Sequence, residues 1–508
     1  MDKKWFRSLV RRRFFIAVLL MLQIVVIVYT LASRSLASQI TAISLTVLSL
    51  GVCLYIISKR DKGAFKLTWV FTIMLFPLFG GLFYIIFKAQ SSARRYIKNA
   101  DRTKDKFSRL CRLQPSHREE LCRRAGDFEP IVRYLEDTAH FPAYSGCELS
   151  YLSPGEEMYR KLLEELEKAQ EYIFLEFFIV QEGKMWGTIL EILRRKTAQG
   201  VKVRLIYDDV GCFLKLPQDY DVQLRKMGIE CIVFNPFRPV LTSLQNNRDH
   251  RKIAVIDGRV AFTGGVNLAD EYINHIDRFG HWKDAGLMLK GEAAWSFTLI
   301  FLQMWETCSG IDEDYEQYRP RSFPVQPGGC AQPWADSPND RENVGEHVYL
   351  QMINRAKRYV YINTPYLIVD DSMVSALILA AKSGVDVRIV TPHKWDKRLV
   401  HMTTRSYYRE LIDGGVKIYE YSKGFIHSKT VVADDVCANV GTTNFDFRSL
   451  YLHYECGVWM CGCEAVAELK KDFLHTLESC QLITAEECSG GILKTLFQEV
   501  LRLLSPLM

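Results

Sequence analysis

Two stretches of the chain pair an imidazole with an ammonium in the same way. Asn246–Asn267 reads NNRDHRKIAVIDGRVAFTGGVN, and Gly424–Asn444 reads GFIHSKTVVADDVCANVGTTN. Each holds His-x-Lys, an Asp five residues after the Lys, and a Gly-x-x-Asn turn. The candidate catalytic residues are therefore His250, Lys252 and Asp257, then His427, Lys429 and Asp434. Both motifs carry β-branched and apolar residues and read as strands, so side chains two apart project to one face. An imidazole beside a fixed ammonium suits a phosphate: Lys neutralises the anion, and His attacks phosphorus or carries a proton. Asn267 and Asn444 can donate to the same phosphate oxygens, and Gly264, Gly265 and Gly441 let the backbone come close. One His-x-Lys alone usually marks a solvated strand. Two copies, with histidines and Gly-x-x-Asn turns each 177 residues apart, point to catalysis. Two histidines also divide the work of phosphodiester transfer: one attacks, the other protonates the departing alkoxide and then activates the incoming hydroxyl.

The elements that must hold these motifs are duplicated too. In the first half, a helix at Gly155–Ala169 precedes a strand at Tyr172–Val180, then the helix ILEILRRKTAQG and the strand VKVRLIYDDVG. In the second half, the strand Arg358–Ile368 is followed by the helix MVSALILAAKSG and the strand Val385–Pro392. Strand, helix, strand predicts a parallel βαβ unit in each half, hence an α/β fold with two like halves; a pseudo-twofold pairing of them would bring both histidines into one cleft. The proline-rich stretch 319–341 reads as the linker between them.

The N-terminus predicts a membrane anchor. Phe14–Ala32, Ile40–Ile57 and Leu67–Phe87 are apolar and each close to the ~20 residues that span a bilayer. A cleavable signal peptide is the rival reading of the first run, which has a basic start but no clear cleavage site. Pro77, Gly80 and Gly81 in the third run are tolerated in membrane helices. Two or three spans are open. With three, ten Lys and Arg face one side and nine the other, so charge does not orient the anchor. Fourteen cysteines without a paired pattern fit a reducing compartment, which leans towards a cytoplasmic catalytic part. Cys456, Cys461 and Cys463 cluster, but no His stands at ligand spacing, and neither a metal nor a cofactor is expected. The net charge of +6 is mild and gives no nucleic-acid groove. The expected divisions are an anchor at 1–90, a basic linker at 91–130, halves at 131–318 and 342–488, and an amphipathic helix at 489–508. The basic linker meets lipid headgroups or exposes a solvated face; the last helix dips into the membrane interface or packs on the domain.

With its anchor, including FPLFGGLFYIIF, and with GHWKDAGLMLKG and TNFDFRSLYLHYE after the two motifs, the chain resembles bacterial cardiolipin synthases of the phospholipase D superfamily. That resemblance implies two α/β sandwich halves sharing one site. It implies conversion of two phosphatidylglycerols to cardiolipin and glycerol, with phosphatidylglycerol and the bilayer as partners. It makes His250 the nucleophile, His427 the general acid and base, and Lys252, Lys429, Asn267 and Asn444 the phosphate holders. Glu455, 28 residues after His427, resembles the acidic residue that orients a motif histidine, and Asp284, 34 after His250, does the same for His250. Asp257 and Asp434 then look structural. His281 and His453 are read as surface or supporting residues. The competing functions are a membrane phospholipase D that uses water as acceptor, a superfamily nuclease, and a scaffold without activity.

Overall fold

In a computed structural model, the described residues are 35–76, 80–88, 92–114, 116–237, 243–323, 328–339, 342–488 and 490–507, with 21, 24–25 and 28–29. They divide into two compact units. One is Tyr96–Pro236 with Arg248–Gln498; the other is Met1–Arg95 with Phe237–Asn247 and Glu499–Met508.

The larger unit carries both motifs. Its first half holds strands β1 (Tyr144–Leu152), β2 (Tyr172–Phe177), β3 (Lys202–Asp208), β4 (Glu230–Phe234), β5 (Lys252–Ile256), β6 (Val260–Gly264), β7 (His281–Lys283) and β8 (Gly286–Lys290). The second half holds β9 (Gly329–Asp336), β10 (Tyr359–Asn363), β11 (Leu367–Ile368), β12 (Asp386–Pro392), β13 (Lys417–Tyr421), β14 (Gly424–Ile426), β15 (Thr430–Ala433), β16 (Cys437–Gly441), β17 (Phe445–Asp446), β18 (Glu455–Cys461) and β19 (Cys480–Leu482). Fifteen of these form one mixed sheet, ordered β19-β13-β12-β10-β15-β16-β18-β9-β1-β8-β6-β5-β2-β3-β4. The order mirrors about the β9–β1 junction, so the duplication seen in the sequence is built into the sheet. The expected parallel units are present: β2 runs parallel to β3, and β10 to β12. Both faces of these strands are covered, which explains their near-continuous apolar sequences. The helices Gly155–Lys168 and Lys184–Ala198 pack through Leu162, Leu166, Ile189 and Leu193, while the helix Ala294–Ser309 is buried over almost its whole length.

Two expected boundaries are wrong. The stretch 319–341 is not simply a linker, because it contains β9, a fully buried strand paired from Cys330 to Asp336 with β18. Its proline misled: Pro333 has no N–H to donate, but it lies beyond Gly329–Ala331, the part of β9 that pairs with β1. Nor is 91–130 a free basic linker. The helix Ser92–Arg112 buries Phe107 and Cys111, and its charges meet acids of the same unit: Arg102 and Lys106 reach Glu306, and Lys106 also reaches Asp312.

In the smaller unit, the helix Leu36–Ser58 is long and apolar enough to cross a membrane, and it exposes Ile40, Ile43, Val47, Leu50 and Leu54. Among the described residues the run Leu67–Phe87 is not one continuous helix. It divides between the helices Gly63–Leu75 and Gly80–Lys88. Thirteen residues reach only about 20 Å, short of the ~30 Å hydrocarbon core. The break precedes Pro77: Phe76 has left the helical region at φ −126°, ψ 65°, as the residue before a proline is driven to do. Gly80 then sits so close to Ile73 that a Cβ would fall 2.6 Å from its Cα. The run Phe14–Ala32 lies outside the described residues except for Met21, Ile24, Val25, Val28 and Tyr29, which are helical and exposed.

Candidate active site

Each motif histidine stands at the mouth of a strand rather than inside it. β5 begins at Lys252, two residues after His250, and β15 begins at Thr430, three after His427. Each backbone is fixed by the opposite half: His250 N donates to Tyr454 O at 3.0 Å, and His427 N donates to Lys283 O at 2.7 Å. The residue after each of those carbonyls is an acid that reaches the ring. His250 Nδ1 lies 2.8 Å from Glu455 Oε1, and His427 Nδ1 lies 2.8 Å from Asp284 Oδ2. The expected pairing of Asp284 with His250 is therefore corrected, and Glu455, expected to orient a motif histidine, serves His250. The acids cross over. Spacing within a half hid this, because only the joining of the halves brings each strand mouth against the other half's acid.

A ring nitrogen that donates to a carboxylate leaves the lone pair on the other nitrogen. Among the described residues no protein group bonds Nε2 of either ring. Lys252 Nζ donates to His250 O at 2.6 Å, and Lys429 Nζ donates to His427 O. Lys429 Nζ also lies 2.9 Å from His427 Nδ1. Nδ1 cannot donate and accept at once, and the buried carboxylate is its stronger partner.

The electrostatics follow from burial of many charges in one place. Burial, then Lys252 and His453, hold His250 well below the usual imidazole range. Burial and then Lys429 hold His427 down at about 4. Burial lowers Lys252 to about 8 and Lys429 to about 7 despite the nearby acids. Burial raises Asp284, yet the contacts with His427 and Lys429 leave it below the ordinary carboxylate value. Burial pushes Glu455 well up, opposed by Lys252 and the Thr442 hydroxyl, both of which favour the carboxylate that Nδ1–H needs. His250 feels Lys429 and His427 across the halves, so the two motifs share one field.

The motif aspartates do not join this cluster, contrary to their place among the candidate catalytic residues. Asp257 lies at the far end of β5, about 16 Å along the strand from Lys252 at ~3.3 Å per residue. Its carboxylate accepts from the backbone N–H groups of Gln170, Glu171 and Tyr172 at 2.8–2.9 Å. Asp434 does the same for Lys357, Arg358 and Tyr359. Both aspartates sit at positive φ, 51° and 55°. The turn glycines approach protein, not the cleft: Gly264 faces Gly286 on β8, and Gly441 faces Gly457 on β18. A side chain on Gly265 would collide with Asp284 Oδ1. Its counterpart Thr442 instead donates a hydroxyl hydrogen bond to Glu455 Oε2, so the GTTN departure accompanies the longer acid. Asn267 Nδ2 donates to Tyr272 OH and Asn444 Nδ2 to Asp446 Oδ2, which leaves one amide hydrogen on each.

Residues 162–293 and 349–477 match the family described as "Cardiolipin synthase, PLD-like domain", and residues 45–88 match "Phospholipase_D-nuclease N-terminal". A cardiolipin synthase of Geobacillus kaustophilus is 37% identical over 90% of this chain and 91% of its own length. The chain belongs to the cardiolipin synthase family. An uncharacterized protein of Streptococcus mutans is 41% identical over 90% of this chain and all of its own length. The crystal structure of a phosphatidylserine synthase from Haemophilus influenzae shares the fold, with a TM-score of 0.57 at 12% identity, over 75% of this chain and 100% of that one.

Within this cardiolipin synthase-family site, several residues escaped the sequence reading. Arg251, between the motif His and Lys, runs beneath the site to Glu176 Oε1, Asp336 O and Glu455 O. Arg248 is held by Asp208 at 2.9 Å. Tyr272 and Trp282 stand against His427, with ring centroids 5.4 and 5.2 Å away, and Phe178 stands 5.0 Å from His250. His281, read as a supporting residue, reaches only Tyr421 OH. His453 is different: its ring lies 5.6 Å from His250, deep in the site. His250, His453 and Glu455 each offer one ligand atom within 4.8 Å of the others. The signal for the cross-half acids was present in the sequence: each follows its motif by about 30 residues at the start of a strand run.

Proposed function

We propose that this chain transfers a phosphatidyl group from one phosphatidylglycerol to a second, releasing glycerol. As a member of its family it is a phospholipid phosphatidyltransferase. The observation that carries the mechanism is two imidazoles with free Nε2 atoms, each oriented by a carboxylate from the opposite half, in one field with two lysines.

His250 Nε2 attacks the phosphorus, forming an N–P bond as the P–O bond to glycerol breaks. His427 gives its proton to the departing alkoxide. The hydroxyl of the second lipid then loses its proton to His427 and attacks phosphorus, and the N–P bond breaks to release cardiolipin. Neutral at rest, His427 gains its proton as the phosphate anion enters and offsets Lys429. Lys252 and Lys429 neutralise the phosphate, and the remaining amide hydrogens of Asn267 and Asn444 orient it. Leu36–Ser58 supports membrane anchoring, since 23 residues reach about 35 Å. The catalytic unit is placed on the cytoplasmic side, which cysteine labelling in intact vesicles tests.

Purified enzyme given labelled phosphatidylglycerol should yield cardiolipin and free glycerol. Phosphatidic acid alone would replace transfer by hydrolysis, and DNA cleavage without lipid turnover would indicate a nuclease. His250→Ala should abolish both turnover and any trapped phospho-enzyme, while His427→Ala should let the intermediate form slowly and persist. The opposite pattern reverses the two roles.

A further inference from the structure

Beside the motifs the duplication also breaks two residues before each acid. Trp282 and His453 occupy equivalent positions, each two residues before its acid. On the His427 side, β7 runs beside β14 and places Trp282 opposite Phe425, with ring centroids 4.9 Å apart. On the His250 side, the equivalent contact is the bridge Asp249–Tyr454, which brings Arg248 and His453 to the matching positions. One flank of the cleft is therefore aromatic and the other cationic.

The side chain of His453 is nine-tenths buried, yet among the described residues neither ring nitrogen has a hydrogen-bond partner. Glu455 Oε1, 3.9 Å away, is too far to serve and already holds His250. A buried polar group without a partner is costly and points to something that supplies one. The surrounding charge identifies its sign. Burial, and then Arg448, Arg248, Lys252 and Lys397, hold His453 well below the usual imidazole range. Arg248 is tied to Asp208 and contributes only its field. A neutral imidazole still offers one N–H, and an anion among these cations would gain it.

Resting on the transfer reading above, we propose that His453, on the flank that Arg248 makes cationic, forms a second anion subsite that holds the phosphate of the acceptor lipid. The first phosphate sits between the motif lysines, and the acceptor differs from water or glycerol in carrying a phosphate of its own. The subsite thus selects a lipid acceptor over the small hydroxyl compounds that the same phospho-enzyme can meet.

The test compares two fates of one intermediate. The full-length enzyme is given phosphatidylglycerol in mixed micelles with labelled free glycerol. Cardiolipin reports transfer to an acceptor with a phosphate. Label entering phosphatidylglycerol reports transfer to one without. His453→Ala should lower cardiolipin formation about tenfold relative to exchange. His453→Gln, which keeps an amide donor, should fall between the variant and wild type. Persisting exchange shows that the variant is folded. Equal loss of both products in both variants overturns the subsite. Wild-type cardiolipin synthesis with an unchanged product ratio in the variants also overturns it, and it alone. A wild-type enzyme that makes only phosphatidic acid overturns the transfer reading and the subsite with it.

Discussion

The two motif lysines carry a pH signature that separates capture of phosphate from chemistry. Burial holds Lys252 at about 8 and Lys429 at about 7 in the free enzyme. As pH rises through 7 and 8, each ammonium sheds its proton and the site loses the positive charge that draws the phosphate. The value of kcat/KM reports free-enzyme groups, so it should fall across this window. A bound phosphate stabilises both ammonium groups, so kcat should fall only at higher pH. On the acid side, His250 is already neutral, but His427, held at about 4 in the free enzyme, must take up a proton before it can act as the acid, so kcat/KM should rise as pH falls from 7 towards 4. Lys429→Arg keeps a charge that does not titrate. Its alkaline limb should move upward even though its rate is lower. A wild-type profile level to pH 10, or an unmoved limb in Lys429→Arg, would remove the lysines from phosphate capture.

At the scale of elements, the motif divides into a chemical end and a structural end. Asp257 and Asp434 each accept three backbone N–H groups at the start of the neighbouring strand. Replacing either by Ala leaves those donors without their acceptor, a loss of about 2–4 kcal/mol. A thermal melt should show the lower midpoint, while turnover per folded molecule stays close to wild type. A normal melt with abolished turnover would return the aspartates to the chemistry. The same division governs what the sequence disclosed. His-x-Lys, the repeat at 177 residues and the βαβ units were legible because they are local patterns with a fixed period. β9 was hidden by Pro333 and by the Gly328–Gly329 pair at its start, which imitate a linker although β18 pairs with Cys330–Asp336. The partners of the histidines were hidden for a different reason: Glu455 is 205 residues from His250, and Asp284 is 143 from His427. No periodicity within one half encodes a contact that exists only when two halves join.

For the whole molecule, the transfer proposed above requires the site to meet a lipid in a bilayer. The C-terminal helix Ile492–Leu504 buries Leu501, and Leu503 O accepts a hydrogen bond from Thr68 Oγ1 in the helix Gly63–Leu75. Along the same helix, Ile492, Leu493, Leu496, Phe497 and Val500 remain exposed, Leu493 to 83%. Packing on the protein thus accounts for the end of the helix but leaves an apolar face uncovered, and such a face suits the membrane interface. Burying a side chain of this size is worth about 1.5–3 kcal/mol. The double substitution Leu493→Glu with Phe497→Glu removes two of them and adds two charges that the interface disfavours. On the reading of Leu36–Ser58 as a membrane anchor, the chain stays at the bilayer, so the loss should appear in productive docking rather than in membrane retention. Turnover of phosphatidylglycerol in vesicles should fall about tenfold or more, as one lost side chain of interfacial burial already requires. Turnover of a short-chain phosphatidylglycerol dispersed in detergent should stay near wild type, because that substrate reaches the site without a bilayer. Equal losses on both substrates would assign the face to packing within the protein, and no loss on either would leave the helix without a part in lipid access.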